Sequence, residues 1–259
     1  MNKDVISFAG AGRVASALCR MLHKCGYSID LVVSESEKSC RSLAESCEAK
    51  WSTEPEFPAT DSIIIVSVPD HRLISVLHTL NCSPETIVVH TAGSFGLDIF
   101  PEHIKRKGVF YPLQTFSHER SVDFVNLPFL IESADNDTFI TLKGLAKSMG
   151  SKAYACDAEH RKMLHVAAVF SCNFTNHMLT IGKELSERAG FSYDILKPLI
   201  AETILKAAEN GPAFSQTGPA VRNDLNTIEK HLKLLSFSPE LKSLYGEITK
   251  SIADYYNKK

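Results

Sequence analysis

One pattern near the amino terminus narrows the possible folds more than any other. The apolar-biased run Val5-Ile6-Ser7-Phe8-Ala9 leads directly into Gly10-Ala11-Gly12-Arg13-Val14-Ala15, and Ser16 to Leu22 then repeats apolar side chains at helical spacing. A strand, a tight turn and a helix in immediate succession bring the unpaired N–H groups of a helix's first turn to the end of a strand. Gly10 permits the turn, Gly12 allows phosphates to approach the backbone, and Ala15 lets helix and strand pack closely. With Ala11, Arg13 and Val14 completing it, the stretch reads as the pyrophosphate site of a dinucleotide, opening a Rossmann-type βαβ unit.

The rest of the chain extends this reading. Short apolar runs recur at Val5–Ala9, Ile29–Val33, Ser62–Val68, Thr86–His90, Val109–Tyr111 and Ala153–Cys156, separated by helical patterns. Ile63-Ile64-Ile65-Val66 is continuously apolar, as a parallel strand covered on both faces must be. From Asp157, a plausible helix cap with Glu159 in the following turn, the pattern is helical to the end, broken by Gly190, Pro198 and the Gly/Pro-rich stretch 210–219. The expected architecture is α/β: a doubly wound, mainly parallel Rossmann sheet over residues 1–156, followed by an all-helical carboxyl-terminal domain over 157–259. A length of 259 residues with 44% hydrophobic side chains fits two such domains.

Charge and composition exclude several alternatives. A formal net charge of -2 without a basic patch gives no field for nucleic acid. Seven scattered cysteines with no C-x-x-C pair argue against a disulfide framework and against a zinc site, so no metal is expected and reduced thiols fit the cytoplasm. Met1-Asn2-Lys3-Asp4 runs straight into the first strand without an export signal. The segment from Met163 to Gly182 has the length of a membrane span and no Asp, Glu, Lys or Arg. It carries too many polar groups for lipid, among them His165, Asn173, Asn176 and His177, and reads as a helix buried in protein.

The cofactor type is argued at the end of the second strand, where an NAD site needs an acid on the ribose 2′-hydroxyl. The sequence there is Val33-Ser34-Glu35-Ser36. Ser34 and Ser36 leave room for a 2′-phosphate, with Arg13, Lys38 and Arg41 as counter-charges, which favours NADP. NAD stays open, because Glu35 would fill the slot if the strand ran one residue longer. Val68 and Pro69, at the end of the strand at 62–68, are expected to wall the adenine or the nicotinamide ribose, and Asp70 either joins them or caps the next helix.

Taken with His90-Thr91-Ala92-Gly93-Ser94, Tyr111-Pro-Leu-Gln-Thr-Phe116, His165 to Asn173 and Thr217 to Asp224, the fingerprint resembles a family. It is that of the Rossmann-like NADP oxidoreductases with a helical carboxyl-terminal domain of unknown function, distant relatives of pyrroline-5-carboxylate reductase and of the β-hydroxyacid dehydrogenases. The resemblance implies a substrate contact at Ser94, since a similar small-residue turn holds the substrate carboxylate in the β-hydroxyacid dehydrogenases. His90 either lies beside the nicotinamide as proton donor or caps its strand with a satisfied imidazole. At about 100° per residue, His165, Asn173, Asn176 and Thr180 share a helix face. That stripe either lines an interdomain cleft, where His165 and Asn173 would orient a carbonyl or imine, or makes polar contacts across a subunit interface. The dehydrogenases' helix lysine followed four residues later by Asn is only half present, as Lys162 is followed by Val166. Arg222 and Asp224 either bind an anionic substrate or pair with each other.

The expected function is transfer of a hydride between the nicotinamide and a small carbonyl, imine or hydroxy substrate. The alternative is a non-catalytic dinucleotide-binding module for redox sensing or assembly. The apolar surface carried by Met163–Gly182 and Ile195–Ala208 is expected to form a homodimer.

Overall fold

Eight strands form one sheet in the order β3-β2-β1-β4-β5-β6-β7-β8. They are β1 (Val5–Ala9), β2 (Ser28–Val33), β3 (Lys50–Ser52), β4 (Ile63–Val66), β5 (Ile87–His90), β6 (Arg106–Pro112), β7 (Pro128–Ser133) and β8 (Lys152–Ala155). The computed structural model describes residues 4–58, 61–117 and 120–257, so Met1 to Lys3, with the reading made of them, lie outside the described residues. Every strand pair is parallel except β6 with β7. The order from β3 to β6 is that of a doubly wound dinucleotide-binding sheet.

Helices α1 (Arg13–Lys24), α2 (Glu37–Glu45), α3 (Asp70–Thr79) and α4 (Asn136–Ser148) connect these strands. In β4 alternate residues serve opposite faces. Ile63 and Ile65 join Ile6, Phe8, Leu18 and Leu43 in one core, while Ile64 and Val66 join Leu73 and Leu77 of α3 in another. Two of the strands escaped the sequence reading for physical reasons. The edge strand β3 is only Lys-Trp-Ser, too short and polar to show a period, and β7 begins at a proline before Phe129-Leu130-Ile131.

Contacts divide the chain into two compact units, 1–177 and 178–259. The sheet ends at Ala155, and Asp157 caps α5 (Ala158–Ala168) by accepting the His160 N–H at 2.9 Å. The first unit continues through α5, a π-helical turn at Val169–Phe174 and the start of α6 (Thr175–Arg188). His165 and Asn173 therefore belong to the same unit as the sheet.

The second unit holds the rest of α6 with α7 (Lys197–Asn210), α8 (Pro212–Ser215), α9 (Leu225–Leu234) and α10 (Pro239–Asn257). Gly211, at φ +84°, ends α7, and the short α8 lies inside the Gly/Pro-rich stretch. Asp224 caps α9 and accepts the Thr227 hydroxyl at 2.7 Å, and the Thr227 bonds, with a smaller contribution from the Arg222 charge, hold its carboxyl below the usual carboxylate range. No described helix is long and apolar enough to cross a membrane.

Candidate functional site

The turn from β1 to α1 is built around two glycines with different duties. Gly10 has φ +114°, and a Cβ there would lie 2.2 Å from the Ser67 carbonyl oxygen, so only glycine fits where β1 passes the end of β4. A Cβ on Gly12 would meet nothing within 4 Å, which leaves the backbone open on the side of the turn where a ligand would approach. No side chain caps α1 and its first turn carries no acid, so an anion would meet unpaired N–H groups and the positive end of the helix. Ala15 is fully buried between helix and sheet.

A cavity of about 390 Å³ opens in front of this turn, lined among others by Gly10, Ala11, Gly12, Ser34, Val68 and Pro69. Six residues expected to hold a dinucleotide thus border one cavity. Three others do not line it. Arg13 opens α1, Val14 packs against the core, and Ser36 caps α2 by accepting the Ser39 N–H at 3.4 Å. The expected counter-charges are also placed elsewhere. Lys38 and Arg41 are exposed on α2, and Arg41 pairs with Glu45 at 2.8 Å.

The cation that borders the cavity near Ser34 is instead Arg72 of α3, which forms an ion pair with Glu35. β2 ends at Val33, so Ser34 is the first residue past the strand and Glu35 sits in the cavity wall with its charge opposed. Sequence reading missed Arg72 because it looked for cations near Ser34 along the chain. The available signal was a basic residue one turn into the helix that comes after Val68-Pro69.

A second group of side chains gathers at the carboxyl ends of β4, β5 and β6, the edge at which open α/β sheets bind ligands. Ser94 donates to Asp70, the first residue of α3, at 2.5 Å, and Thr91 donates to Ser67 at 3.0 Å. Tyr111 of β6 and His165 of α5 meet with Oη and Nδ1 3.0 Å apart, their rings edge to face. Gly93 makes room for them, since a Cβ there would stand 3.0 Å from both His165 Nδ1 and Tyr111 Cζ. Burial raises the Tyr111 phenol above its ordinary range, Asp70 and Cys172 add to this, and Arg161 opposes it.

Arg161, fully buried, positions the helix that carries His165. Its guanidinium lies 2.8 Å from Glu132 of β7 and donates to the carbonyl oxygens of Cys156, at 3.1 Å, and Phe95. One turn of helix separates Arg161 from His165, so the clamp on the sheet aims the imidazole at Tyr111. No sequence pattern distinguished Arg161 from a solvated first-turn residue, which is what its neighbour Lys162 is.

Two expected site residues have other surroundings. His90 is fully buried and stacked on Phe100, with Nδ1 accepting the Ala92 N–H at 3.2 Å and Nε2 facing the Gly96 carbonyl at 3.4 Å. Burial pushes its pKa down to about 4. Both nitrogens are occupied by backbone, so of the two readings the strand-capping one matches the geometry and a proton-donor role does not. Asn173 is exposed within the π-helical turn. An i to i+5 turn inserts about one residue, rotating the helix beyond it by about 100° from a straight α-helix. The stripe from His165 through Asn173, Asn176 and Thr180, counted at a uniform helical angle, does not survive that turn.

The comparisons with known proteins agree with this layout. Residues 3–115 match the description of a Rossmann-like domain and 127–252 that of a domain of unknown function, DUF2520. The Bacteroides fragilis protein BF3122, described as a putative NADP oxidoreductase, is 39% identical, with 98% of this chain and 99% of that one covered at a TM-score of 0.89. The chain belongs to the Rossmann-like, DUF2520 family. Protein TM1727 of Thermotoga maritima shares its fold at 22% identity, covering 98% of each chain with a TM-score of 0.71. So does 1-pyrroline-5-carboxylate reductase of Streptococcus pyogenes, at 13% identity over 98% of this chain and 100% of that one, with a TM-score of 0.63. No curated protein matches the sequence.

Proposed function

We propose that this DUF2520 protein is an NADP-dependent oxidoreductase acting on a small carbonyl, imine or hydroxy substrate. The observation that carries the reading is one sheet edge bearing two arrays. The glycine turn with its cavity suits a dinucleotide, and the Asp70, Ser94, Tyr111 and His165 group beyond Pro69 suits a polar reacting centre. When bound, the nicotinamide supplies or takes up the hydride. The chain's own residues hold the pyrophosphate at the start of α1, wall the ribose with Val68 and Pro69, and place polar groups where the substrate's heteroatom would develop charge.

NADP is preferred over NAD in this reading. Ser34 leaves space for a 2′-phosphate, and Arg72 can exchange its pairing with Glu35 for the more highly charged phosphate. Calorimetric titration with NADPH and NADH tests the preference, and tighter binding of NADH would reverse it. A screen of small keto acids, imines and hydroxy acids by NADPH absorbance tests the activity. Tight binding without oxidation of the cofactor by any of them would favour the non-catalytic module.

A further inference from the structure

Hydride transfer to a carbonyl or imine needs a proton for the heteroatom, and neither His90, which sequence reading offers as a donor, nor Lys162, which lacks the Asn partner of the related dehydrogenases, is well placed to give it. His90 is enclosed with both nitrogens bonded to backbone, and Lys162 is exposed on α5. Tyr111 is differently placed. It stands near the carboxyl end of β6, next to β5 and the Gly93-Ser94 turn, and its hydroxyl meets His165 Nδ1 at 3.0 Å. Gly93 has no positive φ to account for it; the lack of a side chain there is what admits the two rings. The clamp of Arg161 on Phe95, Cys156 and Glu132 holds the helix that delivers the imidazole. Three elements thus converge on one phenol oxygen.

Resting on the oxidoreductase reading above, we infer that Tyr111 is the proton donor to the substrate and that His165 is the positioning residue that orients and reloads it. With the imidazole carrying its proton on Nδ1 and donating to Tyr111 Oη, the phenolic hydrogen is left to point at the substrate. As hydride from the reduced nicotinamide forms the new C–H bond, the π pair of C=O or C=N moves onto the heteroatom. The Tyr111 O–H bond breaks and the heteroatom–H bond forms. The resulting phenolate takes the Nδ1 proton of His165 while Nε2 gains one from water, which leaves as hydroxide; the imidazole ends neutral in its other tautomer, and proton exchange with solvent restores the Nδ1–H form before the next turnover. Oxidation of a hydroxy or amino substrate runs the same transfers backwards.

The groups facing Tyr111 are Asp70 of α3, Arg161 and His165 of α5 and Cys172 of the π-helical turn. Burial, Asp70 and Cys172 together outweigh Arg161, which keeps the phenol protonated at rest, the form a donor requires.

The test needs no substrate. Phenolate formation is followed by ultraviolet difference absorbance in the wild type and in Tyr111→Phe, each alone and saturated with NADP+, with calorimetry confirming binding. In the wild type one phenol is expected to titrate above ordinary tyrosine, to be missing from Tyr111→Phe, and to fall by about one pH unit or more when the cationic nicotinamide binds beside it. Gly93→Ala, which drives a methyl between the rings, is expected to alter the same component without removing either group. If NADP+ binds to the wild type and that component does not move, Tyr111 does not face the nicotinamide and the proposal is overturned. If NADP+ does not bind at all, the oxidoreductase reading itself fails and the assignment falls with it. Once a substrate is found, Tyr111→Phe should lower kcat about 100-fold or more with the KM for NADPH within about threefold. His165→Gln should lower kcat less and shift its pH profile.

Discussion

A methyl group at Gly10 would overlap the Ser67 carbonyl at 2.2 Å, on a backbone at φ +114° that L residues avoid. Gly10→Ala is therefore expected to cost more than about 2 kcal/mol in stability and to abolish dinucleotide binding, read by melting temperature and calorimetry. Arg72→Ala removes the cation at the ribose slot and leaves Glu35 facing any 2′-phosphate. NADPH binding should weaken about tenfold or more while NADH binding changes less than about threefold, since one charged hydrogen bond is worth about 1.5 kcal/mol or more. Equal losses for both cofactors would remove Arg72 from that slot. His90 predicts an acid dependence. Its pKa is depressed from 6.5 to about 4 by burial, so the unfolded chain binds the proton first. The stability it confers is complete above about pH 6.5 and is lost as pH falls towards 4, amounting to about 3 kcal/mol. Asp61, raised by burial to about 6, acts in the opposite sense between about 6 and 3.8. Comparing urea unfolding of the wild type and His90→Gln across pH 4 to 7 separates the two, and parallel curves would show that His90 is not the source.

The elements around the site are coupled through Arg161. It joins α5 to β7 through Glu132 and to the loop after β5 through the Phe95 carbonyl, and it is fully buried while doing so. Arg161→Ala would strand the Glu132 carboxylate and leave two carbonyl oxygens without their donor, a loss of about 3 kcal/mol or more. Thermal denaturation should fall by several degrees, and Arg161→Lys should not restore it, because an ammonium cannot reproduce the fork of the guanidinium. An unchanged melting temperature in Arg161→Ala would mean that α5 is held by other contacts. The π-helical turn after α5 changes which residues past Ala168 can face the site. That is why Asn173, placed with His165 by periodicity, lies exposed within it.

At the scale of the molecule, the described part of the helical unit is short of a core of its own. Among its described residues Ala220 is buried, whereas Phe214, Leu234 and Leu199 are 91%, 73% and 64% exposed. Met163 and Phe170, at 70% and 64%, continue this character into the segment before it. Apolar surface on that scale needs a cover, and a two-fold partner is the commonest one. A homodimer is the expected state, so light scattering should report about twice 28.6 kDa at micromolar concentration. A particle of 28.6 kDa would refute it.

Local chemistry determined the first unit because each of its signals acts over a few residues. The β1 turn needs Gly10 wherever it folds, β4 is apolar throughout because helices cover both its faces, and Asp157 caps the helix it precedes. The sequence by itself thus specified the doubly wound sheet, the helical remainder and six of the residues lining the cavity at the β1 turn. The features it left open depend on contacts between residues far apart in the chain. Arg72 reaches Glu35 across the sheet edge, Tyr111 meets His165 through the space that Gly93 leaves, and His90 loses its proton affinity to burial. A π-helical turn, which composition does not announce, decided which side chains of the long helix accompany His165. Pairing, burial and helix phase are properties of the packed chain, and they enclose the imidazole of His90 while bringing the phenol of Tyr111 to His165.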